Sequence, residues 1–203
     1  MTVFISGGAK CGKSAFAQDL TVSLSGGGKR YYVATLISSG KEDEARIRRH
    51  IADRDGLGFE TLECFRDICA IADGEGTFLV DSVTSLMQNA LFPVEKNYQM
   101  DLQAAGKCAD DLVSFAAMVK NAVFVSDYIY SDGSATMKPR KPTENVWQTL
   151  TADWRRSATS WWRFPPDRKS CTRGNCRYEN LSARLCHVPE YVLRHSFSLE
   201  YLG

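Results

Sequence analysis

The chain has few histidines, three in 203 residues, and only six prolines. No apolar run reaches the roughly 18 residues that a membrane span requires. The N-terminus has neither a basic lead-in nor a small-residue cleavage site, which argues against a secretory signal. Residues 133–203 keep no helical or alternating apolar periodicity for long, and no repeat accounts for this. The seven cysteines contain no paired Cys-x-x-Cys knuckle, and the spacing of Cys171, Cys176, Cys186 and His187 does not suit a structural zinc site. Cys11, Cys64, Cys69 and Cys108 lie in a segment of cytosolic character, where thiols stay reduced. What is left is a soluble, cytoplasmic protein, long enough for one α/β domain with a real core.

The formal net charge of +1 hides a division. Residues 1–132 carry 13 Lys and Arg against 18 Asp and Glu, whereas residues 133–203 carry 12 against 6. All four tryptophans (147, 154, 161 and 162) and five of the six prolines lie in the second part.

The first part has a regular grammar. Thr2–Ser6 reads as a buried strand ending at glycine, and a helix follows from Lys13 with Phe16, Leu20 and Leu24 on one face. Ser25-Gly26-Gly27-Gly28 ends that helix. Arg30–Thr35 predicts a second strand, Asp43–Arg54 a charged helix, Thr61–Cys64 a short strand and Phe65–Ile71 a helix. Thr77–Asp81 predicts a buried strand, Val83–Leu91 and Met100–Val119 helices, and Ala122–Ser126 a last strand. This alternation predicts an α/β fold, a mostly parallel sheet with helices on both faces.

Gly7-Gly8-Ala9-Lys10-Cys11-Gly12-Lys13-Ser14 fits G-x-x-x-x-G-K-[ST] between a strand and a helix. Glycines let backbone N–H groups turn inward around phosphate oxygens, and the helix N-terminus adds positive potential. Lys13 would reach the β- and γ-phosphates of ATP or GTP, and the Ser14 hydroxyl would ligate Mg²⁺. Asp81, at the end of a buried strand, is the second candidate Mg²⁺ ligand. His50 stands among Arg46, Arg48, Arg49 and Arg54. Two readings fit it: a solvated histidine on a basic helix face, or a nucleophile that forms a phosphoramidate while guanidiniums stabilise the anion.

Five segments in order resemble one family: Gly7–Ser14, Tyr32-Val33-Ala34-Thr35, Arg46-Ile47-x-x-His50-x-x-x-Arg54, Glu63-Cys64, and Leu79-Val80-Asp81-Ser82-Val83-Thr84 followed by Asn89. The series, over about residues 2–132, is similar to the bifunctional adenosylcobinamide kinase / adenosylcobinamide-phosphate guanylyltransferase family of cobalamin synthesis. The resemblance implies a phosphate-loop α/β domain assembled as a homotrimer, with adenosylcobinamide and nucleotides as partners. It implies phosphorylation of the adenosylcobinamide side-chain hydroxyl, then transfer of GMP to that phosphate through a GMP–histidine intermediate on His50. Nucleotide contacts are expected from Gly7–Ser14, Ala34, Thr35, Ile51, Arg54, Glu63 and Thr84. One departure is Asp127–Asp132, where better-known members have a Thr-Asn-Glu-Val-Gly-type stretch.

After residue 132 the family continues with an Arg-rich helix, a buried strand and a Gly-containing end, and this chain has none of these. Joining the last base of each codon to the first two of the next gives a hidden frame. Trp161-Trp162 forces valine in it, and neighbouring codons permit Leu-Ala-x-x-Cys-Asp-Val-Val-Val-Glu-Val-Ser-Ala-Gly, then Ile-Val-Tyr-Lys-Gly. Residues 133–203 are therefore expected to be an out-of-frame tail, poorly ordered, on an incomplete and weakened domain 1–132. Two other functions remain open at this point. One is a small phosphate-loop kinase with no covalent step; the other is a nucleic-acid-binding ATPase using the basic, Trp-bearing tail.

Overall fold

A computed structural model describes residues 1–8, 10–127, 160–163 and 179–180. β1 (Thr2–Gly7) runs into the glycine loop and α1 (Lys13–Ser25) leaves it. β2 (Arg30–Ala34), α2 (Lys41–Asp53), β3 (Glu60–Glu63) and β4 (Thr77–Asp81) follow. Then come α3 (Val83–Leu91), α4 (Leu102–Met118) and β5 (Asn121–Asp127), and after them the short strands β6 (Ser160–Arg163) and β7 (Glu179–Asn180).

The sheet order is β3-β2-β4-β5-β1-β6-β7, parallel throughout except between β6 and β7. Alternation along the central strands divides the core in two. Val3, Ile5, Leu79, Val123 and Val125 face Phe16, Ala17 and Leu20 of α1. Phe4, Val33, Phe78, Val80 and Phe124 face Leu86 and Leu91 of α3 and Leu112 and Phe115 of α4. Phe78, Phe115 and Phe124 meet edge to face, and Tyr31 stacks on Phe78 at 4.6 Å between centroids. Gly76 enters β4 where a Cβ would come within 2.7 Å of both the Tyr31 and Phe78 rings, so no larger residue fits without displacing them. Both helices of the second face are capped by side chains: Ser82 accepts from the Ser85 N–H, and Asp101 from the Ala104 N–H. Helix α2 buries no residue completely and lies across the carboxyl ends of the strands, where open α/β sheets bind ligands.

The predicted α/β class, its five parallel strands and their order along the chain are present. Two elements differ. The helix expected over 65–71 is a single 3-10 turn at Ile68–Ile71, because Asp67 has φ 49°, a left-handed value that an α-helix cannot pass through. Within residues 133–203, where no element was expected, β6 pairs in parallel with β1, Val3 opposite Ser160 and Ser6 opposite Arg163. The side of β1 away from β5 offers backbone donors and acceptors, and backbone pairing accepts almost any sequence. The expectations for the rest of the tail, including the cysteines beyond 170, lie outside the described residues.

Candidate active site

The phosphate loop takes its shape from backbone geometry. Gly12 has φ 90°, and it opens α1 by accepting the Phe16 N–H through its carbonyl. Only glycine holds that φ without strain. Gly7 and Gly8 are buried at the strand end, Lys10 (φ 58°) is exposed, Cys11 and Ser14 are half-buried, and Ala9 lies outside the described residues. Lys13 is folded inward and buried. Its Nζ donates to the Gly8 carbonyl at 3.1 Å and pairs with Asp127 Oδ1 at 2.7 Å.

Across β5 from this loop, one cleft gathers residues from four separate segments: Ala34 and Thr35 at the end of β2, His50 on α2 with Arg54 at its C-terminal cap, Glu63 on β3, and Asp81 on β4. Helical spacing places Arg46, Ile47 and His50 on the inner side of α2, and Arg54 follows at its C-terminal cap. The Arg54 guanidinium is buried against the Tyr32 ring, 4.1 Å from its centroid, and donates to Thr61 Oγ1 at 3.0 and 3.2 Å. Thr35 ties β2 to the end of β4, donating to the Ser82 carbonyl at 2.7 Å and accepting its N–H at 2.8 Å. Asn89 on α3 donates to the Thr35 and Phe65 carbonyls. The cleft walls are thus fixed by hydrogen bonds between the ends of β2 and β4 and from α3.

His50 has its Nδ1 buried without a hydrogen-bond partner, 3.8 Å from Asp81 Oδ2. Asp81 in turn accepts a hydrogen bond from the Tyr32 hydroxyl at 3.1 Å. Burial, and then the Asp81 charge, push the Tyr32 hydroxyl pKa far up, so it remains a donor at every working pH.

The description "Cobinamide kinase / cobinamide phosphate guanyltransferase" matches residues 3–144, well over half of the chain. The chain belongs to this family. Membership makes it a nucleotide-binding kinase and nucleotidyltransferase of cobalamin biosynthesis. A search of curated proteins found no match. Among solved structures, the chain is similar to the flagellar accessory protein FlaH from Methanocaldococcus jannaschii, at 14% identity and TM-score 0.44, over 80% of this chain and 70% of that one. No described helix is long and apolar enough to cross a membrane.

Of the residues expected to bind nucleotide in this family member, Ala34, Thr35, Arg54 and Glu63 meet His50 in one cleft. Ile51 does not join them: it is 52% exposed, and Ile47, one turn earlier, takes the inward place. Thr84 lies at a neighbouring cleft, where its hydroxyl bonds with Ser126 and accepts the Asp127 N–H at 2.9 Å. The expected Mg²⁺ ligands are one hydroxyl, Ser14, and one carboxylate, Asp81. The described residues contain no cluster of three His, Cys, Asp or Glu. A hydroxyl and a carboxylate are both hard oxygen donors, the kind Mg²⁺ takes beside waters and substrate phosphates. Sequence reasoning missed Tyr32 and Ser85 as cleft residues and Asp127 as the partner of Lys13. Asp127 had a signal in the departure from the family pattern that begins there, and Tyr32 in opening the Tyr32-Val33-Ala34-Thr35 segment; Ser85 had none.

Proposed function

We propose that this chain phosphorylates the side-chain hydroxyl of adenosylcobinamide and then transfers GMP from GTP to the resulting phosphate through His50. The observation that carries this reading is the His50 cleft. A histidine with one nitrogen buried and unpaired shares a cleft with Arg46 and Arg54, and only β5 separates the strand of that cleft from the strand of the phosphate loop. In the transfer, His50 Nε2 attacks the α-phosphorus of GTP; an N–P bond forms and pyrophosphate leaves. Asp81 stands near enough to Nδ1 to stabilise the imidazolium that develops, and Arg46 and Arg54 to offset charge on the phosphorus oxygens. The phosphate of adenosylcobinamide phosphate then attacks the same phosphorus and frees His50. Lys13 and the backbone of the phosphate loop would hold the triphosphate, and Ser14 with Asp81 would hold Mg²⁺. When bound, the metal neutralises phosphate charge. A trimer would be consistent with the family resemblance.

GTP labelled at the α-phosphate tests the reading. Covalent label is expected on the chain and absent from His50→Ala. A plain phosphate-loop kinase would phosphorylate adenosylcobinamide without taking up label.

A further inference from the structure

We propose that Asp127 is the base for the phosphoryl-transfer half of the reaction and that the cleft beside it receives the acceptor alcohol. This rests on the kinase activity proposed above. Asp127 ends β5, the strand between β4 and β1, so its carboxylate emerges between the Asp81 strand and the phosphate loop. Its Oδ1 lies 2.7 Å from Lys13 Nζ and its Oδ2 4.0 Å from Arg46. The backbone beneath it is held by its own N–H, which donates to Thr84 Oγ1. The side chain is 31% exposed and faces a cleft of about 490 Å³ bounded also by Ile37, Arg46, Gln88 and Asn89. That cleft shares Leu36, Arg46 and Ser85 with the His50 cleft, so an acceptor phosphorylated in one lies next to the group that takes GMP in the other.

A carboxylate beside the phosphate-binding lysine repels nucleotide phosphates. Its chemical use at that place is to accept a proton. In the free protein Lys13 neutralises it. Once a triphosphate engages Lys13, Asp127 faces the cleft with an oxygen available to the acceptor O–H. The alcohol oxygen then attacks the γ-phosphorus while its proton passes to Asp127. An O–P bond forms, the bond to the β,γ-bridging oxygen breaks, and its electron pair leaves with the nucleoside diphosphate. Asp81 is less suited to this, being engaged by Tyr32 and 3.8 Å from His50.

The test compares Asp127→Asn and Asp127→Glu with wild type, in the full chain and in a version with the frame restored after codon 132. Phosphorylation of adenosylcobinamide and GMP labelling of His50 are both measured. Asp127→Asn is expected to lose about 100-fold or more in phosphorylation turnover, with labelling within threefold of wild type and Asp127→Glu recovering part of the loss. The proposal is overturned if Asp127→Asn turns over within threefold of wild type. It is also overturned if labelling collapses together with turnover, since Asp127 would then be holding the loop. A wild type that labels His50 but never phosphorylates overturns the kinase half of the reading and this proposal with it. A wild type that does neither overturns the whole reading.

Discussion

Replacing Tyr32 by Phe removes one oxygen at the centre of the site and leaves the ring in place. Tyr32 is 4% exposed, and its ring still supports the Arg54 guanidinium after the change. What is lost is the donor to Asp81 Oδ2, a hydrogen bond to a charged group. Such bonds contribute about 1.5–3 kcal/mol. The cleft that Tyr32 and Asp81 line admits water, which can replace the hydroxyl in part, so the lower end applies: about 1.5 kcal/mol, close to tenfold in the folding constant. Urea unfolding should therefore show a lower midpoint with an unchanged slope. Asp81, no longer oriented by its donor, should also be held less firmly toward His50, and GMP labelling should slow. A stability change under about 0.5 kcal/mol, the range of ordinary surface substitutions, together with unaltered labelling would refute the reasoning about this hydrogen bond.

Gly76→Ala places a methyl against two rings at the start of β4 and should destabilise by about 1–3 kcal/mol, read from the same urea midpoint. Stability should also fall in acid. The Lys96 ammonium and then the Ala104 N–H hold Asp101 below the usual carboxylate range, and the Glu75 N–H and then the Tyr31 hydroxyl do so for Asp73. Depressed folded values mean that their contribution is full above an unfolded pKa of about 3.9 and is lost as pH falls through the folded values. Urea midpoints at pH 6 and pH 3 measure this, and Asp101→Asn should flatten the dependence. Resequencing the coding DNA near codon 132 should reveal a displaced frame, with the valine-rich run in the alternative frame. A single clean frame matching another C-terminal domain would contradict it.

The strands and α1 were legible because buried parallel strands form short apolar runs and the G-x-x-x-x-G-K-S loop marks where the first one ends. Ala34, Thr35, His50, Arg54 and Glu63 were legible only as a series in order, since they come together from segments far apart along the chain. The 3-10 turn at Ile68–Ile71 was not legible, because apolar spacing over seven residues says nothing of the left-handed φ at Asp67. Ile51 and Ile47 differ by one turn of the same exposed helix, and the direction each side chain takes depends on how α2 lies on the sheet. Tyr32 read as strand core, which it also is; its hydroxyl reaches Asp81 only because β2 and β4 are neighbours in register, Ala34 opposite Asp81. β6 was missed because edge pairing is made by the backbone.

The most direct measurement of the central claim is digestion and mapping of the chain after incubation with α-labelled GTP and Mg²⁺. The account predicts label on the peptide containing His50, absent in His50→Ala and discharged by adenosylcobinamide phosphate. Label on any other residue, or phosphorylation of adenosylcobinamide by a chain that never takes up GMP, would contradict it.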